Sequence, residues 1–266
     1  MKQWAILSAF VSAFALAVPQ PVLAQQTPPA GSSRTDLGGK EGDQTFSVRG
    51  HIILWGAGGL DLDVLGNVTG GALGTIRGTQ MLIDVTAYPD VYVRTQRRRS
   101  AGIGFGVLKS VELFARYEDT NNPASAVVIG KFGSDTNTFG VAFDNYKDRL
   151  IEFGLRKYLA SPKRSRVYIA LSGGMKTVEP ISMTMQVPGG NVRTELYSKS
   201  RIPSYGVGFG VTLEYRHFGF FVDSGFRYQK RLMRNDSDLA LYGLEDVNNT
   251  GVRFFMPATL GLLVRF

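Results

Sequence analysis

The sequence predicts an all-β fold: a transmembrane antiparallel up-and-down β-barrel of eight strands, with both termini on the periplasmic side. Three observations predict it, namely an apolar leader, segments that alternate apolar and polar residues, and connections that alternate between short and long. The clearest alternation lies at the C-terminus, where apolar residues occupy every second position: Phe254, Met256, Ala258, Leu260, Leu262, Val264 and Phe266. A period of two with one apolar face is typical of a strand that meets lipid on one side.

Residues 1–24 have the pattern of a secretory signal peptide. A basic Lys2 precedes the apolar run Trp4–Val18, and small residues lead to Ala24, after which we expect cleavage. An uncleaved inner-membrane anchor is the less favoured alternative. About 20 apolar residues are needed to span a bilayer, and Pro19 ends this run early.

Residues 25–44 are rich in Gln, Pro, Gly and Ser and lack an apolar period, which predicts a flexible periplasmic lead-in. The structured domain is expected over residues 45–266, where no apolar run is long enough for a transmembrane helix. A membrane domain without such helices must be a closed barrel, because backbone polar groups in lipid need internal partners.

The composition limits the chemistry and the partners of the chain. There is no cysteine, which excludes a disulfide scaffold, thiolate metal ligands and a cysteine nucleophile. The formal net charge of +8, which includes Lys2, is compatible with anionic lipid and lipopolysaccharide. Because the chain is expected to be exported, nucleic acid is not an expected partner.

Each predicted strand carries an apolar face opposite a face of polar or glycine residues. The eight segments are Phe46–Trp55, Ser100–Leu108, Val111–Glu118, Arg149–Tyr158, Arg166–Lys176, Tyr205–Arg216, Phe220–Gln229 and Arg253–Phe266. Short connections at 109–110, 159–165 and 217–219 alternate with long ones at 56–99, 119–148, 177–204 and 230–251. In bacterial outer-membrane barrels the short turns are periplasmic and the long loops extracellular, which predicts four extracellular loops here.

Aromatic residues near both ends of the strands predict two interfacial girdles. The expected periplasmic set is Phe46, Tyr215, Phe220 and Phe266, and the expected outer set is Tyr117, Tyr205, Tyr228 and Phe254. Such girdles are typical because amphipathic aromatic side chains favour the head-group layers of a membrane.

The inward face is expected to fill the barrel, because an eight-stranded barrel is only wide enough inside for side chains. Inward glycines leave room for charged residues from other strands: Gly102, Gly104, Gly106, Gly206, Gly208 and Gly210. The predicted lumen charge network comprises Arg49, Glu112, Arg116, Glu118, Glu152, Arg156, Glu214, Asp223 and Arg227. Because both signs occur in near balance, we expect ion pairing and a plugged polar lumen. A narrow pore for ions or small solutes is the alternative.

Three stretches carry a resemblance to a known family. They are residues 110–117 (SVELFARY), 153–159 (FGLRKYL) and the terminal 260–266. On these motifs, the chain over residues 45–266 resembles the small eight-stranded outer membrane protein β-barrel family. The resemblance implies that Leu262, Val264 and Phe266 form the signal that the outer-membrane assembly machinery reads. Pro257 departs from a regular barrel strand, because it cannot donate to the ladder, and it is expected to mark either a bulge or the outer end of the strand.

Catalytic chemistry is not expected. Some barrels of this kind are lipid A deacylases that use a histidine beside a nucleophile, but His51 is expected in the lumen and His217 in a periplasmic turn. A lipid A-modifying enzyme is therefore the least favoured alternative. No catalytic residue, cofactor or metal site is predicted, since the acidic stretches 236–238 and 245–246 are short loop segments.

A basic segment precedes the second predicted strand. Arg97 and Arg99 are expected to point outward at the outer rim of the barrel. Their guanidinium groups suit lipopolysaccharide phosphates, which arginine binds in a bidentate manner. A solvated loop end is the alternative.

Together these observations predict a monomeric protein of a Gram-negative outer membrane. Its expected role is structural, in envelope integrity or in surface interaction through the extracellular loops, without enzymatic activity. A secreted soluble barrel of lipocalin type would place the apolar face inside. It is less favoured because it would expose the glycine faces to water and leave the alternating connection lengths unexplained.

Overall fold

The computed structural model describes residues 47–92, 96–124, 128–132, 137–159, 165–187 and 189–266. The predicted signal peptide (1–24), the predicted lead-in (25–44) and Phe46 lie outside these described residues. No helix within the described ranges is long and apolar enough to cross a membrane.

Eight strands form one closed antiparallel barrel. They are β1 (Ile52–Leu65), β6 (Gln96–Leu108), β7 (Val111–Asn122), β10 (Tyr146–Tyr158), β11 (Ser165–Val178), β14 (Ser200–Tyr215), β15 (Phe218–Gln229) and β16 (Arg253–Arg265). Around the barrel the order is β1, β16, β15, β14, β11, β10, β7 and β6, which again pairs with β1. Successive barrel strands are neighbours throughout, so the predicted eight-stranded up-and-down fold is confirmed.

The barrel strands extend further at the long-connection end than the sequence predicts. The ladder continues to Leu65 in β1, and it begins at Gln96 in β6 and at Tyr146 in β10. The first predicted strand ended at Trp55, before the glycine-rich residues 56–59, and the other two began at Ser100 and Arg149, where outward charges interrupt the apolar face. Hydrogen bonding between strands needs no apolar face, so the barrel wall continues beyond its apolar part.

The start of the first strand differs from the prediction. Gly50 has a φ of +79° and lies in a turn, and β1 begins only at Ile52. Val48 is fully buried, whereas Arg49 is exposed. The prediction that Arg49 lies in the lumen is wrong, because the turn breaks the alternation on which it depended.

The outward face of the barrel is apolar. Side chains that are about half exposed there include Ile103, Phe105, Leu113, Ile151, Phe153, Leu155, Ile169, Leu171, Val207, Val222, Phe226, Leu260 and Leu262. A soluble protein rarely exposes a continuous apolar surface, whereas the hydrocarbon of a bilayer requires one. The chain is therefore an eight-stranded transmembrane barrel of the outer-membrane type.

Aromatic side chains lie at both ends of this apolar surface. Those exposed on the outward face are Tyr117, Tyr205, Phe254, Tyr215, Phe220 and Phe266. Tyr228 packs against Phe254, with ring centroids 4.9 Å apart. The positions match the predicted girdles wherever the structure describes the residue.

The long connections are folded. The first contributes β3 (Ala72–Ile76) and β4 (Thr79–Ile83), the second β8 (Val128–Phe132) and β9 (Asn137–Phe143), and the third β12 (Ile181–Val187) and β13 (Gly190–Tyr197). These three hairpins join in one six-stranded sheet in the order β13, β12, β9, β8, β4 and β3. The first connection also holds β2 (Asn67–Thr69), β5 (Thr86–Ala87) and α1 (Tyr88–Val91), and the fourth holds α2 (Asp236–Ala240). We call the described parts of the four connections the cap.

The cap has its own apolar core. Its fully buried side chains come from all four long connections: Val68, Met81, Ile83 and Val91, then Val141, then Ile181, Met183, Met185 and Leu196, then Leu239, Leu244 and Val247. Barrel residues at the same end of the strands, among them Val178 and Ile202, belong to this core. Because apolar burial drives association, one shared core holds the four connections against each other and against the barrel.

The fourth connection contacts both edges of the cap sheet. The N–H of Thr75 in β3 donates to the Tyr242 carbonyl over 2.8 Å, and the N–H of Asn235 donates to the Leu196 carbonyl of β13 over 3.2 Å. Nδ2 of Asn248 adds a 2.8 Å hydrogen bond to the same Leu196 carbonyl. Edge strands that would otherwise present free backbone groups are thereby partly paired.

Gly102→Ala should destabilise the barrel, whereas Gly58→Ala should leave it nearly unchanged. A Cβ at inward Gly102 would meet the Trp55 ring and lie 2.6 Å from the Ala115 carbonyl oxygen. Overpacking of this kind costs about 1–3 kcal/mol. A Cβ at outward Gly58 meets nothing within 4 Å. Urea unfolding in lipid vesicles measures both variants, and equal midpoints would contradict close packing of the lumen.

Candidate functional site

The upper half of the lumen, nearer the cap, holds a set of ion pairs that we call the central network. Its members are three acidic side chains, Asp61, Glu118 and Glu152, and three basic ones, Arg98, Arg116 and Arg227. All six are buried. Equal numbers of opposite charges allow each buried charge to be compensated, which burial in a narrow lumen requires.

Glu118 and Glu152 share two arginines. Oε1 of Glu118 lies 2.9 Å from Nε of Arg116 and 3.1 Å from Nη2 of Arg227. Glu152 Oε2 accepts from Arg116 and lies 3.1 Å from Arg227 Nη2. Arg98 extends the network, with Nη1 3.5 Å from Glu118 Oε2 and 3.2 Å from Asp61 Oδ1. Shared pairing of this kind links five strands of the barrel, β1, β6, β7, β10 and β15, through their side chains.

Further polar pairs fill the lower half of the lumen. Nη1 of Arg156 lies 3.0 Å from Glu112 Oε1, and the hydroxyl of Tyr158 donates to Glu112 Oε2 over 2.6 Å. The hydroxyl of Tyr168 donates to Oδ2 of Asp223 over 3.3 Å. Tyrosine hydroxyls thus satisfy carboxylate oxygens that the arginines leave available.

Two aromatic rings lie between the arginines of the upper and lower halves. The guanidinium carbon of Arg156 is 5.5 Å from the Trp55 ring centroid and 4.9 Å from that of Phe114. The guanidinium carbon of Arg116 is 5.9 Å and 5.7 Å from the same two centroids. Cation–π contact is favourable for arginine. The two rings therefore fill the lumen between two like charges while binding both.

Both histidines contact the end of β16. Nδ1 of His51 lies 3.0 Å from the backbone oxygen of Phe266, and Nδ1 of His217 lies 3.1 Å from the Arg265 carbonyl oxygen. Arg265 and Arg166 each place a guanidinium nitrogen 2.7 Å from Oε1 of the buried Glu214, which secures the terminal strand from inside as well. Each histidine therefore has a structural role at the short-turn rim.

Arg253 lies at the boundary between the charged lumen and the cap, and it is fully buried. Its guanidinium carbon lies 4.6 Å from the Phe255 centroid, 5.0 Å from that of Tyr146 and 5.4 Å from that of Tyr88. Tyr88 belongs to α1, so these contacts join the barrel to the cap. Burial raises the pKa of Tyr88, against the opposing effect of Arg253, so this phenol stays neutral at neutral pH.

A buried ion pair lies next to this boundary. Nζ of Lys176 is 2.9 Å from Oδ2 of Asp148 and 4.8 Å from the Phe255 centroid. Nearby in sequence, the Tyr146 hydroxyl donates to Oε1 of Gln229 over 3.0 Å. Charged and polar pairs thus continue to the long-connection end of the barrel, where the apolar core of the cap begins.

A small cavity remains in the lumen beside a wall of glycines. Its volume is about 30 Å³, and its lining includes Gly206, Gly208, Gly225 and Pro257. A cavity needs about 10–15 Å³ to hold one water molecule. The cavity therefore has room for bound water.

Pro257 interrupts the ladder within the last strand. It pairs with Asp61 of β1. On the β15 side, however, the pairing reaches Ala258 and resumes only at Phe255. This break follows from the missing N–H of proline. Pro257 thus departs from the regular pattern inside β16 and does not mark its outer end.

The structure brings most of the predicted lumen charges together. The predicted residues on the inward face are Glu112, Arg116, Glu118, Glu152, Arg156, Glu214, Asp223 and Arg227; Arg49 is the exception. The prediction missed other inward charges, namely Asp61, Arg98, Asp148, Arg166, Lys176, Arg253 and Arg265. Asp61, Arg98 and Asp148 lie in segments assigned to loops. Extending the period of two past the glycine-rich residues 56–59 in β1, and past the outward charges in β6 and β10, would have placed them inward.

The predicted lipopolysaccharide contacts lie on the outward face. Arg97 and Arg99 are both exposed in β6, while Arg98 between them is buried in the central network. Arg99 lies in register with Asp119 of β7, which lies in register with Arg149 of β10. The alternation of the strand therefore separates one lumen arginine from two outward ones.

Arg234 contacts two acidic residues of the fourth connection. Nε of Arg234 lies 2.9 Å from Oδ1 of Asp236, and its Nη2 donates to the Glu245 carbonyl over 2.6 Å. Across the part of the chain that the structure describes, no group of three His, Cys, Asp or Glu side chains could hold a metal ion.

Neutralising Glu118 should destabilise the barrel, because three buried arginines of the central network lose a shared partner. We expect Glu118→Gln to cost about 3–5 kcal/mol. Asp119→Asn is the matched control, since this carboxylate lies 3.7 Å from Arg149 and both side chains are more than half exposed. Its expected cost is about 0–1 kcal/mol. Urea unfolding in vesicles measures both, and a Glu118→Gln loss no larger than that of the control would contradict the account of the network.

The solved structures that resemble this chain do so at low sequence identity. No protein-family model matches the sequence, and no curated protein matches it. The chain is similar to the solved structure of the outer membrane protein OprG from Pseudomonas aeruginosa (11% identity, 84% of this chain, 99% of that chain, TM-score 0.43). It is also similar to the attachment invasion locus protein Ail of Yersinia pestis (11% identity, 82% of this chain, 99% of that chain, TM-score 0.41). A third similar structure is that of Neisserial surface protein A (12% identity, 81% of this chain, 96% of that chain, TM-score 0.40). At these identities and scores the similarities assign no function, and the strand pairing itself establishes the barrel architecture.

Proposed function

We propose that the protein is an integral barrel of a Gram-negative outer membrane with a closed lumen, and that it acts as a structural and surface-interaction protein. The barrel anchors the chain in the membrane, and the cap is the surface presented outside the cell. Envelope integrity and contact with partners at the cell surface are the two roles that this arrangement supports.

The observation that carries the proposal is the double closure of the barrel. Paired charges of the central network occupy the lumen, and the apolar core of the cap lies across its outer end. A permeating ion would have to displace paired charges and then cross an apolar core, which is costly. Both features argue against the alternative of a narrow pore for ions or small solutes.

The cap suits contact with other molecules through polar groups. Outward side chains of its sheet include Thr75, Thr79, Gln80, Thr138, Thr184, Gln186, Asn191 and Arg193. The proposal assigns no catalytic residue, cofactor or metal to the chain. A lipid A-modifying activity finds little support, because His51 and His217 both contact backbone oxygens of the terminal strand.

Export and assembly complete the proposal. Residues 1–24 act as a signal peptide cleaved after Ala24, residues 25–44 are a periplasmic lead-in, and both termini of the mature chain lie in the periplasm. Outer-membrane lipid and lipopolysaccharide surround a monomeric barrel. The assembly machinery reads the terminal strand through Leu262, Val264 and Phe266.

Planar-bilayer recording tests the closed lumen. The purified protein should give no stable openings under conditions in which a large porin conducts. Heat-modifiable migration on a gel shows that the reconstituted protein is folded. An absence of channel openings can then be attributed to a closed lumen. Stable unitary openings would contradict the proposal and favour the narrow pore.

Phe266→Ala should reduce the amount of barrel assembled in cells, because it removes the terminal aromatic of the proposed assembly signal. Phe218→Ala is the matched control, since Phe218 is 68% exposed and Phe266 is 65% exposed at the same rim. We expect most of the inserted protein to be lost for Phe266→Ala only, as measured by outer-membrane fractionation. Both variants should refold alike in detergent. Equal insertion of the two in cells would refute the assigned signal.

A further inference from the structure

One side of the barrel carries a group of basic side chains on its outward face. Arg97 and Arg99 of β6 and Lys147 and Arg149 of β10 are exposed, and Asp119 of β7 lies between them. We call these five residues the basic wall. Four positive charges and one negative charge leave an excess of three positive charges on this part of the surface.

Strand register assembles the basic wall from two adjacent rows. One row contains Arg99, Asp119 and Arg149, and the next row towards the cap contains Arg97, Asn121 and Lys147. Neighbouring strands lie about 4.8 Å apart, so the cationic residues of one row are about 10 Å apart at their Cα atoms. Flexible side chains on such a spacing can converge on one phosphate group or bridge two.

Asp119 holds one member of the group in place. Its Oδ1 lies 3.7 Å from Nε of Arg149, and both side chains are largely exposed. An exposed ion pair of this kind contributes little to stability. It leaves the other guanidinium nitrogens of Arg149 available to a ligand outside the barrel.

The height of the basic wall matches that of lipid phosphates. On β10, the outward side chains between Arg149 and Lys157 are Ile151, Phe153 and Leu155, all exposed and apolar. A rise of about 3.3 Å per residue and a tilt of about 40° put the two charged residues about 20 Å apart along the membrane normal. The apolar band of such barrels is about 25 Å tall. Arg149 therefore lies at the boundary between hydrocarbon and head groups.

The opposite side of the barrel ends differently. There, β14, β15 and β16 carry Tyr205, Tyr228 and Phe254, which lie side by side in register. This row has the aromatic character of an ordinary membrane interface. The barrel thus presents two distinct lipid-facing sides, and the basic wall has the charge to attract an anionic head group.

We propose that the basic wall is a binding site for the phosphate groups of lipid A, the membrane anchor of lipopolysaccharide. The inference rests on the proposed outer-membrane location, where lipopolysaccharide forms the outer leaflet. Arg99 and Arg149 bind phosphate oxygens from neighbouring strands, while Arg97 and Lys147 add attraction from the row nearer the cap. Binding on one side of the barrel fixes its orientation relative to neighbouring lipopolysaccharide.

Native mass spectrometry of the folded full chain with purified lipid A tests this site. Arg99→Gln/Arg149→Gln should bind lipid A about tenfold more weakly than the unmodified protein, because two charge-assisted contacts are lost. Lys109→Gln/Lys157→Gln is the matched control, since it removes two exposed positive charges at the other end of the barrel. This control should bind lipid A as the unmodified protein does.

The remaining outcomes separate the sources of phosphate. Dephosphorylated lipid A should bind the unmodified protein and the Arg99→Gln/Arg149→Gln variant equally. Equal lipid A affinity of that variant and the control would overturn the site. Equal competition by phosphatidylglycerol or inorganic phosphate would overturn the assignment to lipid A. Heat-modifiable migration and vesicle insertion are measured in parallel, so a chain that fails to insert refutes the proposed function and not the site.

Discussion

Charge pairing across a narrow lumen is the constraint on which the rest of the structure depends. β7 and β15 lie on opposite sides of the barrel, yet Glu118 of β7 and Arg227 of β15 are hydrogen-bonded through two nitrogens of the guanidinium. Arg116 and Glu152 join neighbouring strands in the same network. Each of these charges lies where water is scarce, so each requires its partners in position. The paired side chains therefore act as cross-links inside a wall that backbone hydrogen bonds have already closed.

The barrel and the cap arrange their apolar and polar side chains in opposite ways. The barrel is apolar outside and charged inside, because its outer face meets hydrocarbon. The cap is apolar inside and polar outside, as a soluble domain is. Arg253 marks the change, since aromatic rings of both parts surround its guanidinium. A solute entering the lumen from the cap side would therefore meet a packed apolar core and then a network of ion pairs.

The sequence predicts the barrel well because lipid imposes a simple pattern on it. Strands such as β14 and β16 show an uninterrupted period of two, and their pairing follows from connection length. Arg49 was misplaced because the positive φ of Gly50 depends on a turn that the pattern does not reveal. Asp61 and Arg98 were missed because alternation was judged by apolar outward residues, which glycines interrupt in β1 and arginines replace in β6. The cap could not be predicted at all, since its core residues, such as Val141 and Leu244, meet only through pairing between different connections.

Thiol labelling tests the closed lumen most directly, because the chain has no cysteine of its own. Ser204 is fully buried on the inward face of β14, whereas Asn121 is exposed on the outward face of β7. A small water-soluble methanethiosulfonate reagent, added to folded Ser204→Cys and Asn121→Cys variants in vesicles, compares the two positions. If the lumen is closed, Ser204→Cys stays unlabelled over the time in which Asn121→Cys reacts completely. Labelling of both at similar rates in the folded protein would show that water and solutes reach the lumen, and would contradict its closure.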